Sequence, residues 1–405
     1  MVTRRELLEY ASLSAVAAGA GLAARPLAFG ADMPGVTATE IKIGQTMAYS
    51  GPASAYGVVG RVEAAYFKMI NEQGGINGRK INLISLDDGY SPPKAVEQVR
   101  RLVEQDNVAF IFQSLGTPSN VAIRPYLNAH KVPQLFSATG ASLLGDPKHF
   151  PWTMGVNPTY RTEGAIYGKH ILATKPDAKI AVLYQNDDLG RDYLSGLKDG
   201  LGEKNLGMIV KEVSYEVSEP TIDSQVVTLQ GSGADVFLIA ATPKFGAQAV
   251  RKSFDLGWKA VRYIVNVTAS FTILKAAGLE KSHDLITASY AKDPTDKIWS
   301  NDEGVKQWTA FCQKYMSASV IPDANAVYAY GVAQVLMQVL KQCGNDLSRE
   351  NVMKQATSLK DVPVSVFLPG ITVSTSPDNY YPIRKMQLQR FDGENWKLFG
   401  DLISG

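Results

Sequence analysis

Short apolar runs alternate with longer amphipathic stretches along most of this chain. Residues 40–45, 81–86, 108–112 and 133–136 read as strands, separated by helix-length segments at 60–72, 93–105 and 118–129. In the first helical segment Ala64, Ala65, Phe67, Met69 and Ile70 give a broad apolar face. Gly74-Gly75 stops it, and Asn77-Gly78 is a strong type I′ turn signal. The pattern restarts after Asn157. Helices are expected at 160–173, 192–204, 223–231 and 245–256, with strands at 179–184, 208–214, 235–240 and 263–267. Helices at 306–315, 324–342 and 348–356 follow, then a β-hairpin of 386–391 and 396–402 around Asp392-Gly393. Strand–helix alternation with short loops predicts parallel, doubly wound α/β sheets. Without residues 1–31 the chain keeps roughly 370 residues, long for one core and natural for two of about 150–200 each.

The first residues read as a leader and not as part of the fold. Thr3-Arg4-Arg5-Glu6-Leu7-Leu8 has the twin-arginine pattern, an Ala- and Gly-rich apolar stretch runs over 7–24, and small residues surround Ala28, Gly30 and Ala31. Residues 1–31 are therefore expected to be an export signal, carried by the twin-arginine or the general secretory route, and the protein is expected in the periplasm. A retained anchor is the alternative, but Glu9 and weak hydrophobicity suit it poorly.

Composition narrows the chemistry. With 41 Lys and Arg against 39 Asp and Glu and no basic run, nucleic acid is not an expected partner. Cys312 and Cys343 leave two readings open, one disulfide or two separate thiols. The 4 histidines show no ligand spacing, so neither metal nor other cofactor is expected. There is no phosphate-binding loop, no Gly-x-Gly-x-x-Gly follows the first strand, and Gly140-Ala141-Ser142-Leu143-Leu144 lacks the second glycine of a nucleophile elbow. An enzyme is not expected.

In an open α/β sheet, ligands bind beyond the carboxyl ends of the strands, where helix N-termini favour anions. Ser50-Gly51-Pro52, Gly116-Thr117-Pro118-Ser119 and Ser137-Ala138-Thr139-Gly140 occupy such places. Their hydroxyls and N–H groups suit a carboxylate without a formal positive charge. Thr117 equally suits helix capping, and Ser137 and Thr139 equally suit simple turns. Tyr49, Tyr56, Tyr160, Phe271 and Tyr290 are candidates for a flat cleft wall with hydrogen-bonding tips. Asp87-Asp88 reads as turn capping at a strand end. Arg161 reads as a second anion partner or a surface ion pair.

A longer signature joins these pieces. Ile41-Lys42-Ile43-Gly44, Ser50-Gly51-Pro52 with Tyr56-Gly57, Asn71-Glu72-Gln73-Gly74-Gly75-Ile76-Asn77-Gly78-Arg79-Lys80, Asp87-Asp88, Leu115-Gly116-Thr117-Pro118-Ser119-Asn120 and Ser137-Ala138-Thr139-Gly140 stand in this order. The combination resembles the periplasmic solute-binding proteins of ABC importers, of the branched-chain amino acid (leucine/isoleucine/valine) type. The resemblance implies two Rossmann-like lobes joined by a three-strand hinge. Lobe one would be 39–157 plus 289–370, and lobe two 158–288 plus 371–405. It also implies a monomer that takes a small carboxylate-bearing ligand and hands it to permease and ATPase subunits encoded elsewhere. A sensory ligand-binding module of the same fold is the alternative from another class.

Residue by residue, the resemblance puts the ligand carboxylate on Thr117 and on backbone near Ala138 and Gly140, flanked by Ser50, Leu115, Gly116, Ser137 and Thr139. Tyr56 and Tyr160 would face the cleft from the first lobe and the crossover. Lobe two would close with Leu189, Thr242, Asn266, Val267 and Phe271. Two positions depart from the family pattern. Val267 stands where amino acid binders carry a glutamate for the ligand ammonium, and Leu189 where a tyrosine is common. A buried ammonium without a carboxylate partner is costly. An aromatic or other hydrophobic carboxylate is therefore favoured over an amino acid, amide or urea. Asp187 or Asp188 would supply the missing acid if the ligand is an amino acid, or else cap the helix that follows.

Overall fold

The computed structural model describes residues 33–405; the expected leader lies outside them. The first sheet is built from β1 (Glu40–Met47), β2 (Lys80–Asp87), β3 (Phe110–Phe112), β4 (Gln134–Ser137) and β5 (Thr153–Gly155). These strands are all parallel and lie in the order β2-β1-β3-β4-β5. Helices α1 (Val58–Glu72), α2 (Pro92–Glu104) and α3 (Thr117–Ala129) provide its crossovers.

The chain then repeats the design. After α4 (Tyr160–Thr174) come β6 (Ile180–Gln185), α5 (Asp188–Leu201), β7 (Ile209–Tyr215), α6 (Asp223–Gln230), β8 (Val236–Ala240), α7 (Pro243–Asp255), β9 (Val261–Ile264), α8 (Phe271–Ala277) and β10 (Ile286–Ser289). In the second sheet β7-β6-β8-β9-β10 follow the order of the first, and an antiparallel pair extends the edge. Every residue of β8, Val-Phe-Leu-Ile-Ala, is buried, as expected of a parallel strand covered on both faces.

Beyond β10 the chain returns to the first sheet. Helices α9 (Glu303–Tyr315), α10 (Ala324–Cys343) and α11 (Arg349–Ala356) precede the two-stranded β11 (Val362–Pro363) and β12 (Thr372–Val373). Helix α10 packs on α1 through one apolar core that also holds Tyr66, Trp308, Phe311 and Tyr330. The last crossing leads to β13 (Lys385–Phe391) and β14 (Trp396–Ser404), which complete the second sheet. The molecule is thus two Rossmann-like lobes joined by three crossings, after β5, after β10 and before β13.

Local chemistry explains where the observed elements depart from expectation. Helix α5 begins at Asp188, four residues before the expected 192, because the Asp187 carboxylate accepts the N–H groups of Leu189 at 2.9 Å and Gly190 at 3.3 Å. The strand expected over 263–267 ends at Ile264, and Asn266–Thr268 form one 3₁₀ turn. β5, β10 and α8 escape sequence reading because 3, 4 and 7 residues are too few to establish a period. At the Asn77-Gly78 turn both residues have positive φ, 49° and 78°, and Ile76 pairs with Arg79 across it. Cys312 and Cys343 are separate buried thiols, each pushed up to about 12 by burial.

Candidate functional site

In a sheet of order 2-1-3-4-5, the strand order reverses between the first and third strands, and a crevice opens at their carboxyl ends. Here both sheets have this order, and their crevices face each other across one cavity. It holds about 660 Å³ of space free of protein atoms, mouth included. Its lining comes from both sheets and from the crossings: Tyr56 and Val59 after β1, Tyr90 after β2, Leu115, Gly116 and Thr117 after β3, and Ala138 after β4. Asn157 and Tyr160 stand at the first crossing, Leu189 opens α5, and Asn266 and Val267 follow β9. Ser289, Tyr290 and Ala291 lie at the second crossing, and Ala324, Asn325 and Tyr328 open α10.

The lobe-one wall is set by backbone. Leu115 pairs with Ala138 in a parallel bridge, Ala138 N–H donates to Ser114 C=O at 2.9 Å, and Gly116 N–H donates to Ala138 C=O at 3.3 Å. Gln113, just past β3, and Phe136, inside β4 where its pairing with β5 shifts register, have φ of 53° and 54°. Left-handed φ in such bulky residues persists where surrounding structure over-determines it. At Gly116, φ is +96°, and a Cβ would lie 2.6 Å from the Tyr90 ring. Glycine is thus required here both for the turn and for the ring that covers it.

Thr117 and Thr139 hydroxyls meet at 2.7 Å. Thr117 is the first residue of α3, whose first-turn N–H groups have no intrahelical acceptor. The donors available to an anion here are therefore the Thr117 hydroxyl, backed by Thr139, and the α3 N-terminus. Ala138 N–H, expected from the resemblance to hold a carboxylate, is already engaged by Ser114. Tyr160 closes this corner. Burial pushes its phenol up to about 12, against hydrogen bonding from Thr139, the Gly140 backbone and Thr117.

The structure thus gathers Tyr56, Leu115, Gly116, Thr117, Ala138, Tyr160, Leu189, Asn266 and Val267, of the residues singled out from sequence, around one cavity. The others stand off it. The Ser50 hydroxyl is exposed and donates to Asp87 at 2.6 Å. Burial raises the Asp87 carboxyl, but the Ser50 hydroxyl, the Gly89 and Ser50 N–H groups and Lys94 outweigh it and bring the carboxyl down to about 2. Ser137 is buried within β4. Thr139 acts on Thr117 from behind, and Gly140 packs beneath Tyr160, which a Cβ would strike at 2.7 Å. The Thr242 hydroxyl donates to Gln185 at 2.9 Å, one layer behind the wall. Phe271 packs into the core of the second sheet. Of the other cleft aromatics, Tyr290 lines the cavity, while Tyr49 bonds Ser85 at 2.7 Å away from it. Arg161 pairs with Asp199 on the surface.

Sequence reading missed Val59, Tyr90, Asn157, Ser289, Ala291, Ala324, Asn325 and Tyr328. Tyr90 was findable, because Asp87-Asp88-Gly89 marks a turn at the carboxyl end of β2. The start of α10 was findable too, because Asp323 caps it through Asn325 N–H at 2.9 Å. Nothing local marks Asn157, whose Oδ1 is buried and unpartnered, or Tyr328, whose hydroxyl is in the same state.

Two contacts span the cavity between the lobes: Tyr56 hydroxyl with Thr268 hydroxyl, and Gln185 amide with Tyr90 hydroxyl, each at 3.5 Å. These lie at the outer limit of hydrogen bonding, so they brace the lobes weakly. No acid stands among the eighteen lining residues. Asp187 is engaged as a helix cap, and Asp188 pairs with Arg191 at 3.0 Å outside the cavity.

Two lobes around a shared cavity at paired switch points define a hinged small-molecule binding protein. The periplasmic binding protein family model matches residues 40–395, and the chain belongs to that family. It is 26% identical over 356 residues to a Leu/Ile/Val-binding protein homolog 1 of Brucella suis, covering 85% of this chain and 89% of that protein. Among solved structures it is similar to a branched-chain amino acid ABC transporter protein of Thermus thermophilus with bound valine. That match has a TM-score of 0.81 and 15% identity, over 91% of this chain and 98% of that one. It is also similar to an ABC transporter solute-binding protein of Rhodopseudomonas palustris in complex with 3,4-dihydroxybenzoic acid. There the TM-score is 0.75 and the identity 17%, over 90% and 97% of the two chains. The family and these neighbours are substrate-binding transport proteins. Among the described residues no helix is long and apolar enough to cross a membrane.

Proposed function

We propose that this protein is the extracytoplasmic receptor of an ABC importer and that its ligand is an aromatic or hydrophobic carboxylate without an ammonium group. One observation carries the ligand class. The eighteen described lining residues include five tyrosines, Tyr56, Tyr90, Tyr160, Tyr290 and Tyr328, and not one Asp, Glu, Lys, Arg or His. An anion at this corner is met by the Thr117 hydroxyl, which Thr139 holds from behind, and by a helix N-terminus. The rest of the lining offers flat apolar faces with neutral polar tips. A zwitterion would bury its ammonium against Val267 and Leu189 with no carboxylate to pair.

Capture follows from the hinge. The ligand docks on the backbone-built lobe-one wall, and lobe two closes with Leu189 and the 266–268 turn, so that closure and affinity are one equilibrium. The 1–31 segment supports export to the periplasm, and a membrane permease with its ATPase would receive the closed form. The names of the curated relatives favour a second reading, a branched-chain amino acid receptor. Isothermal titration of 3,4-dihydroxybenzoate and of L-valine separates the two. Binding of the aromatic acid alone supports the first reading, and binding of valine alone overturns it.

A further inference from the structure

One buried acid lies directly behind the cavity wall and takes no part in the ligand surface described above. Glu163, on α4, is 2% exposed. Its carboxyl accepts the Asn266 N–H at 2.7 Å, the Tyr167 hydroxyl at 2.5 Å and the Tyr193 hydroxyl at 2.9 Å. Each partner leads to a different part of the wall. Asn266 is itself a lining residue, and its amide donates to Ala288 C=O at 2.7 Å. The Tyr193 ring stacks on lining Tyr160 with centroids 4.8 Å apart. The Tyr167 hydroxyl accepts Ala288 N–H at 3.2 Å and meets the Thr287 hydroxyl at 3.1 Å, at the end of β10 that runs into Ser289, Tyr290 and Ala291.

We propose, on the reading that this cavity is the ligand site, that Glu163 is a positioning residue which holds the Tyr160, Asn266–Val267 and Ser289–Ala291 segments in one register and thereby sets ligand affinity. The three donors converge on one group that is fully shielded from water. A lost acceptor there leaves buried donors unsatisfied, which couples the three segments through this one group. The carboxyl rises to about 7, chiefly through burial, so an acid in this place is tolerated for what it accepts.

The test uses the full chain and three substitutions. Glu163→Gln keeps an acceptor for Asn266 N–H, Glu163→Leu removes it at similar volume, and Leu229→Ala weakens the core of the second sheet at a buried site on α6. Affinities for 3,4-dihydroxybenzoate and L-valine are measured by titration, and amide exchange at Asn266 and Ala288 by NMR. Glu163→Leu should weaken the bound probe at least 30-fold and raise both exchange rates at least 10-fold. Glu163→Gln should stay within about 5-fold of the parent. Leu229→Ala should lower the melting temperature comparably to Glu163→Leu yet leave affinity within 2-fold. Equal losses in Glu163→Leu and Leu229→Ala, or unchanged exchange in Glu163→Leu, overturn the proposal. If the parent chain binds neither probe, the ligand reading fails by itself, and the exchange rates alone decide the role of Glu163.

Discussion

On the lobe-one side of the cavity, backbone pairing between 114–116 and 138 holds the wall, and Thr117, backed by Thr139, gives the anion corner a hydroxyl. On the lobe-two side, Asn266 and Val267 sit on a single 3₁₀ turn whose Asn266 N–H donates to a buried carboxyl from another element. The first wall is rigid because sheet geometry fixes it. The second is tied largely through side chains, Glu163 to Asn266 N–H, Asn266 to Ala288 and Thr268 to Ala241. A receptor that docks ligand on one lobe and closes with the other benefits from this inequality, since the closing wall must move as a unit.

The comparison can be broken most severely at Glu163. Glu163→Ala leaves the buried Asn266 N–H and Tyr193 hydroxyl without an acceptor and opens a cavity, so an unfolding loss of about 4 kcal/mol is expected by denaturant titration. The charge of the same group gives the next effect. Its carboxyl stands at about 7 in the folded chain against an ordinary 4.5. The folded state therefore keeps a proton that the unfolded chain has already released. This contribution is full below pH 4.5 and is lost as pH rises through 7, by about 3 kcal/mol at most. Burial raises Glu63 in lobe one in the same direction. Glu163→Gln should flatten the fall between pH 5 and 8, and a slope unchanged from the parent would exclude Glu163 as its source.

The lobe-one wall should respond differently. Gly116→Ala forces a left-handed alanine against the Tyr90 ring and should destabilise by about 2–3 kcal/mol while abolishing binding. Thr117→Val removes one hydroxyl at constant shape. It should weaken a carboxylate about 10- to 30-fold, or about 1.5–2 kcal/mol, with a melting temperature close to the parent's. The mildest change is Val267→Glu, which places an acid on the lobe-two wall. It should improve L-valine about 10-fold over its parent value and weaken 3,4-dihydroxybenzoate, both read by titration.

Much of lobe one is legible in the sequence because its signals are local. Periodicity marks β1, β2 and α1, and glycine with hydroxyl residues at strand ends marks the 115–117 and 138–140 loops. The lobe-two wall is less legible. Glu163 sits 103 positions from Asn266, and only folding brings them together. Tyr328 and Asn157 reach the cavity for the same long-range reason. Ser50 and Thr242 occupy strand-end loops as the rule requires, yet each finds a closer partner, Asp87 and Gln185, and turns away from the cavity.

The central claim is that an uncharged, tyrosine-rich wall selects carboxylates that lack an ammonium group. The most direct measurement is a thermal-shift screen of ligand-stripped protein against aliphatic amino acids, benzoate- and cinnamate-type acids, dicarboxylates and amides. At 100 times its dissociation constant a bound acid stabilises by about 2.7 kcal/mol, which is readily seen. The account predicts stabilisation by aromatic acids and none by leucine, isoleucine or valine. Stabilisation by the aliphatic amino acids with none by the aromatic acids would contradict it.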